Sequence, residues 1–290
     1  MRTRLPTLGA LALLTHATLA GLALATAPTS LPAQWVEPPG KGWASFALYH
    51  QNTREAYNFE GVVGTFPGDG HAVATSSFLT LALGLIEGID GWAQFSFQRL
   101  RFDDLLGVRT STGLGDVRLY ARASPLRIFG VTTPVAIRAG VKLPVGDFDV
   151  GSNMIPLGDG QRDWELILEL GHSFYPNPTY VMAWIGYRWR DEATEDDRAF
   201  GDERFFYTAV GGKVGPMGYK VGFEGWYGKT PVFGGFETPG AKREMLRLSP
   251  SLLIPAGPGQ IEIGARLPLD GKNLPAGSDV VVGYFTRLGF

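Results

Sequence analysis

The chain has 290 residues, a formal net charge of -2 at pH 7 and no cysteine. Without cysteine, a disulfide scaffold, a lipid-anchored cysteine and thiolate chemistry are excluded. The small net charge argues against a nucleic-acid partner, which would require a basic surface. With 40 glycines, 20 prolines and 12% aromatic residues, the composition favours many strands joined by tight turns over helices.

Residues 1–33 are predicted to form a secretory signal peptide that is removed. Two arginines begin this segment, and Leu5 to Ala27 is an apolar run rich in leucine and alanine. Cleavage after Ala33 is preferred over cleavage after Ala27, because Pro28 would hinder a peptidase at the earlier site. A retained membrane helix is the less favoured alternative. The remaining residues, 34–290, are then one exported domain.

About twelve segments of this domain alternate apolar and polar residues with a period of two, and most approach the length that a tilted strand needs to cross a bilayer. In the segment that begins at Gly115, for example, valine, leucine and alanine alternate with aspartate, arginine and tyrosine. The clearest segments follow one another in the middle of the chain: Gly115–Ser124, Pro134–Leu143, Asp163–Leu170 and Thr179–Trp189.

Charge placement along these segments favours a membrane barrel over a soluble sandwich. In most of these segments the apolar face carries no charge at its centre, where an arginine or lysine in a bilayer would cost about 2–4 kcal/mol. The other face carries charges on successive strands, which a dry sandwich core could not hold unpaired. Short predicted connections, such as Glu87–Gly91, alternate with longer ones, such as Asp103–Thr112, Val145–Arg162 and Arg190–Glu203, as periplasmic turns and extracellular loops do. The sequence therefore predicts an all-β fold, a transmembrane antiparallel up-and-down β-barrel of about 12 strands.

The chain ends in a further alternating segment, Val280 to Phe290. Such a strand leaves an open edge unless it pairs with the first strand, and this pairing would close the barrel. The ending resembles the assembly signal at the C-terminus of bacterial outer-membrane barrels. This resemblance implies the bacterial outer membrane as the location, membrane lipids as partners, and the barrel-assembly machinery as a partner through Phe290.

The charged faces of the middle strands predict which side chains line the lumen. Successive strands are basic, basic, acidic and basic, so cross-strand pairs could neutralise one another and fill a narrow interior. A barrel of about twelve strands can be filled or can leave a thin pore. The excess of basic residues indicates a preference for anions. The predicted lumen residues are Arg118, Arg122, Arg138, Lys142, Glu165, Glu169 and Arg188.

Four short motifs carry a resemblance to a known family: TGLGD at Thr112–Asp116, KLPVGD at Lys142–Asp147, LGDGQRD at Leu157–Asp163 and GYR at Gly186–Arg188. In their order and spacing, the chain resembles a family of bacterial outer-membrane proteins named "MetA-pathway of phenol degradation". The resemblance implies a barrel of about twelve strands that transports small compounds, with hydrophobic or aromatic compounds among the candidates.

Three of these motifs fall at the predicted outer rim of neighbouring strands. In a purely structural interpretation, they are rim architecture, with glycine for bulges and aspartate for turns. In a functional interpretation, they line an entrance that selects solutes, with the loop Val145–Arg162 folded inward as a constriction. The predicted entrance residues are Asp116, Lys142, Asp147 and Asp163.

Two functions stay open at this point. One is an outer-membrane channel for passive uptake of small, hydrophobic or aromatic molecules through the charged lumen. The other is a structural or surface-binding barrel with a plugged lumen. An enzyme is not expected, because His50, His71 and His172 lack a hydrolase-like spacing with serine and a carboxylate. Neither a cofactor nor a metal is expected.

Overall fold

A computed structural model describes residues 36–131, 134–146, 155–192 and 198–289 of the chain, without the side chain of Arg127. The predicted signal peptide, Asp147 and Phe290 lie outside these residues. Helical structure within them is limited to short turns at Pro67–Asp69, Pro125–Ile128 and Pro239–Ala241. No helix in these residues has both the length and the apolar character that a membrane crossing requires.

Strands dominate the described residues. In chain order they are β1 (Lys41–Thr53), β2 (Glu55–Tyr57), β3 (Val63–Thr65), β4 (His71–Ile86), β5 (Ile89–Asp104), β6 (Gly107–Leu114), β7 (Val117–Ala123), β8 (Val135–Leu143), β9 (Asp163–Ser173), β10 (Thr179–Arg190), β11 (Arg198–Ala199), β12 (Glu203–Val214), β13 (Met217–Gly228), β14 (Val232–Phe233), β15 (Phe236–Glu237), β16 (Glu244–Ala256), β17 (Gly259–Lys272) and β18 (Asp279–Gly289).

The wall of the barrel has twelve antiparallel strands, one of which is divided into β6 and β7. Pairing runs from β1 through β4, β5, β7, β8, β9, β10, β12, β13, β16 and β17 to β18. β18 then pairs with β1, from Lys41 opposite Gly289 to Gln51 opposite Asp279. The ring is therefore closed, and the predicted transmembrane antiparallel barrel is confirmed.

The two ends of the barrel differ in their connections. One end, the short-turn end, carries the tight turns at residues 87–88, 215–216 and 257–258. The opposite end, the long-loop end, carries the connections at residues 144–162, 191–202 and 229–243. This alternation is the one expected of short periplasmic turns and longer extracellular loops.

Strand β9 shows which face of the wall is polar. Asp163 and Glu165 are 0% and 5% exposed, whereas the alternate residues Trp164 and Leu166 are 49% and 47% exposed. Because successive side chains of a strand point to opposite faces, the charges face the interior and the apolar residues face outward. This distribution is the reverse of a soluble protein and matches a barrel surrounded by lipid.

One segment predicted as a loop, residues 103–112, is instead part of a hairpin. β5 and β6 continue as a pair to a tight turn at Leu105 and Leu106, both of which are 86% exposed. The three residues between Leu114 and Arg118 lie opposite only two residues of β5, so the strand contains a β-bulge at this point. Among the described strands β6 pairs with β5 alone. The polar run in β6 hides its strand character from a period-two analysis.

Glycines on the inner face of the wall provide room for aromatic rings on the neighbouring strand. Tyr120 lies opposite Gly140, and a Cβ added to Gly140 would overlap the ring. Phe205 is related in the same way to Gly186. These rings therefore lie against the backbone of the adjacent strand, where a larger residue would displace them toward the centre of the lumen.

The Gly186→Ala substitution is expected to lower the free energy of unfolding by about 1–3 kcal/mol, because the added methyl group overpacks the ring of Phe205. Urea unfolding of the folded protein in detergent measures this change. Gly64→Ala is the control, since no atom lies within 4 Å of its added Cβ. Equal losses in the free energy of unfolding for the two substitutions would contradict the packing of the Phe205 ring against Gly186.

Candidate functional site

A first cluster of charges joins β5, β7, β8 and β9 inside the barrel. Arg122 Nη2 lies 2.5 Å from Asp90 Oδ2, and Arg122 Nη1 lies 3.3 Å from Glu169 Oε2. Arg138 completes the cluster, with its Nε 2.8 Å from Glu169 Oε1. The side chains of Asp90, Arg122 and Glu169 are at most 5% exposed, so these charges are almost completely removed from solvent.

A second cluster lies nearer the long-loop end and is centred on Lys142. Lys142 Nζ lies 2.8 Å from Asp163 Oδ2 and 3.2 Å from Asp116 Oδ2. Asp163 Oδ1 is also 3.3 Å from Arg190 Nε. Lys142 on β8 thus binds the carboxylates of Asp116, just before β7, and of Asp163, on β9. Asp163 in turn connects Lys142 to Arg190 on β10.

The same cluster continues onto β10 and β12. Arg188 donates through Nε to Glu165 Oε1 at 2.7 Å and also pairs with Glu203. Arg190 Nη1 lies 2.8 Å from Glu203 Oε1. Glu165 accepts a further hydrogen bond of 2.8 Å from the Tyr120 hydroxyl. Ion pairs between strands therefore extend around about half of the inner wall, as in a cross-strand ladder.

Aromatic side chains contact the guanidinium groups of the two clusters. Arg138 lies over the rings of Trp92 and Tyr120, 4.5 Å and 5.0 Å from their centroids, and Arg122 lies 4.6 Å from the centroid of Trp92. Such cation–π contacts supplement the ion pairs. Because Tyr120 also binds Glu165, it links the two clusters.

Residues 155–161, in the loop between β8 and β9, lie inside the barrel mouth. Leu157 and Gln161 are 4% and 1% exposed. Asp159 pairs with Arg190 at the end of β10, and its Oδ1 lies 3.3 Å from Arg243 Nη2, just before β16. This loop therefore narrows the lumen and is held by ion pairs to two parts of the wall.

Asp159 is held in its ionised form by this arrangement. Burial alone would raise the pKa of its carboxyl group, but the positive charges of Arg243, Arg190 and Lys142 outweigh that effect. The pKa of Asp159 is consequently well below its ordinary value. The ion pairs of the loop therefore persist through the mildly acidic range.

Three cavities follow one another along the lumen. The outer cavity, of about 460 Å³, lies beside Leu157, Asp159 and Phe200. The central cavity, of about 520 Å³, lies between the charged clusters and shares Arg118 with the outer cavity. The inner cavity, also about 520 Å³, shares Trp92 with the central cavity. Its lining combines further aromatic side chains, Trp43, Tyr180, Trp184 and Phe285, with the charged side chains of Glu37, Arg122, Arg138 and Glu169.

The structure places the described residues of the predicted site on the inner face of the wall and at its rim. Asp116, Arg118, Arg138, Lys142, Asp163, Glu165 and Arg188 line the central cavity, and Arg122 and Glu169 line the inner cavity. Asp147 lies outside the described residues. Among these residues there is no group of three acidic or histidine side chains that could hold a metal ion.

The predicted lumen and entrance residues did not include five members of the clusters: Asp90, Asp159, Arg190, Glu203 and Arg243. Arg190 lies two residues after Arg188 on β10 and therefore on the same face, so the alternation of the sequence indicates that it points inward. Asp90 and Glu203 lie next to turns and were grouped with the connections. No periodic signal marks Asp159, because its position depends on the path of a loop.

Comparison with solved structures shows the fold that the chain shares with known proteins. An outer membrane channel from Pseudomonas putida F1 superposes with a TM-score of 0.70 at 15% identity, covering 91% of this chain and 100% of that one. The beta domain of the Bordetella autotransporter Brka gives a TM-score of 0.50 at 12% identity, covering 87% and 100%. No protein-family model and no curated protein matches the sequence. The similarity is therefore one of fold, that of outer-membrane β-barrels.

Replacing Arg122 by methionine is expected to lower the free energy of unfolding by about 3–5 kcal/mol, because Asp90 and Glu169 then keep buried charges without this partner. Urea unfolding in detergent measures the loss. Arg162→Met is the matched control: its ion pair with Asp191 is exposed and should contribute about 0–1 kcal/mol. Similar losses for the two variants would show that the lumen pairs are not buried as described.

The loop held by Asp159 is expected to stay in place between pH 7 and pH 5. A carboxyl group with a lowered pKa stabilises the folded state above its ordinary pKa of about 3.9 and loses this effect only as the pH falls toward the lowered value. Hydrogen exchange of residues 155–162, corrected for intrinsic rates, should therefore show equal protection at both pH values. Asp159→Asn should lose protection at both. Protection that decreases in the unmodified protein at pH 5 would contradict this assignment.

Proposed function

We propose that this protein is a channel of the bacterial outer membrane through which small molecules pass passively along the charged lumen. The observation that supports this function best is the series of three cavities inside a closed barrel with an apolar outer face. A barrel that served only as a scaffold would need no series of cavities inside its wall. The fold shared with the Pseudomonas putida outer membrane channel also supports the proposal.

We further propose membership of the "MetA-pathway of phenol degradation" family, whose motifs the sequence resembles. That family implies transport of small hydrophobic or aromatic compounds. The inner cavity supports this class of solute, since Trp43, Trp92, Trp184 and Phe285 present aromatic surface there. Aromatic side chains offer large apolar contacts to a planar solute.

In this proposal the rim residues Asp116, Lys142 and Asp163 form the entrance, together with Asp147. All three line the central cavity, and Asp116 also lines the outer cavity, which supports this role. The protein acts without enzymatic chemistry, and Phe290, outside the described residues, serves the barrel-assembly machinery. Outer-membrane lipids contact the apolar face.

A plugged barrel is the second candidate, and one observation favours it. Ion pairs link the inner faces of the strands from β5 to β12, and Asp159 ties the loop to Arg190 on β10 and to Arg243 next to β16. If this arrangement is permanent, the long loops would contact other molecules and the lumen would conduct nothing.

Planar-bilayer recording separates the two candidates. The purified protein is expected to give discrete openings, and the Lys142→Ala, Asp163→Ala double variant should change both the conductance and the ion preference, because it alters the charges of the entrance. Arg162→Ala is the control, since this arginine is 54% exposed and pairs outside the lumen. Absence of openings from correctly folded protein would reject the channel in favour of the plugged barrel. Unchanged conductance and ion preference in the double variant would reject the entrance.

A further inference from the structure

Arg118 differs from the other cations of the lumen. Each of the other described cations lining the central cavity lies within 4.0 Å of a carboxylate oxygen. Within the described residues, Arg118 makes no ion pair and no hydrogen bond. An unpaired guanidinium group inside a barrel is unfavourable, because it has lost part of its hydration without receiving a partner.

The pairing of its neighbours explains why Arg118 is left without a partner. In the register of the wall, Arg118 lies opposite the neutral Gln94 on β5 and the cation Lys142 on β8. Asp116 binds Lys142 through Oδ2, and its buried Oδ1 has no hydrogen-bond partner among the described residues. Glu165 is bound to Arg188 and to the Tyr120 hydroxyl. Neither carboxylate pairs with Arg118.

The position of Arg118 suits a site on the path of a solute. Its side chain lines both the outer and the central cavity, so a molecule moving between them passes it. The outer cavity also has an apolar lining, provided by Phe78, Leu157 and Phe200. Gln98 on β5 adds a polar side chain to this lining. The cavity thus combines the unpaired Arg118 with apolar surface and with the ion-paired Asp116, Asp159 and Arg243.

We propose that Arg118 is an anion-binding site and that the solutes of this channel are small organic carboxylates whose apolar part packs in the outer cavity. A guanidinium group can donate two parallel hydrogen bonds to a carboxylate, which gives strength and orientation. The carboxylate of the solute would form the ion pair that the residues of the wall do not provide for Arg118. As a statement about transport, this inference rests on the proposed channel function, whereas the binding site can be tested without it.

Isothermal titration of the folded protein in detergent tests the binding, with benzoate as the anionic probe and benzamide as its neutral analogue. Benzoate should bind more tightly than benzamide. Arg118→Gln should weaken benzoate binding by about tenfold or more, as expected for the loss of a charge-assisted hydrogen bond, and should leave benzamide unchanged. Arg118→Lys should retain part of the preference for benzoate.

Arg99→Gln is the matched control, because Arg99 lies on the outer face of β5, next to the inward Gln98. It should bind benzoate as the unmodified protein does. No benzoate binding, equal binding of the two probes, or equal effects of Arg118→Gln and Arg99→Gln would overturn the site.

Reversal potentials in bilayers under a potassium benzoate gradient test the role in transport. Arg118→Gln should lower the permeability of benzoate relative to potassium, whereas Arg99→Gln should not. If the channel opens and the ratio of benzoate to potassium permeability is the same in Arg118→Gln and Arg99→Gln, the carboxylate preference is overturned and the channel function stands. If no protein opens but benzoate binding depends on Arg118, the channel is rejected and the anion site stands.

Discussion

The pairing of β18 with β1 is the interaction on which the rest of the structure depends. A sheet with free edges would expose backbone donors and acceptors to lipid, where each unpaired group costs several kcal/mol. Closure removes these edges and allows the apolar side chains of alternate positions to face outward. It also brings the charged faces of distant strands toward one interior. The ion pairs of the lumen are therefore a consequence of closing the ring as well as of the charges on each strand.

The two charged clusters do not by themselves make the barrel stable. Buried ion pairs recover at best the cost of removing their charges from water, so their net contribution is small even though the loss of one partner is costly. Their effect is geometric. They hold Arg122, Arg138, Lys142 and Arg188 against the wall between β5 and β12, and they leave the cavities between these groups.

The sequence predicted the strands whose alternation is regular, and it predicted the inner face of β7 to β10 from the positions of Arg118, Arg138 and Glu165. It did not predict β6, because threonine and serine there resemble a polar loop. Asp90 was grouped with a turn, since the charge stands at the start of a strand. The inward position of Asp159 follows from tertiary contacts with Arg190 and Arg243, and a local pattern contains no information on such contacts.

The glycines at positions 140 and 186 have a consequence for the width of the passage. In most barrels the number of strands and their stagger determine the diameter. Here the free cross-section also depends on recesses in the wall, each as deep as one missing side chain and each occupied by a ring of the neighbouring strand. Replacing such a glycine and the aromatic residue opposite it by two residues of medium size would change the width of the lumen but not the number or register of the strands. Related barrels can therefore differ in the solutes they admit without any change of architecture.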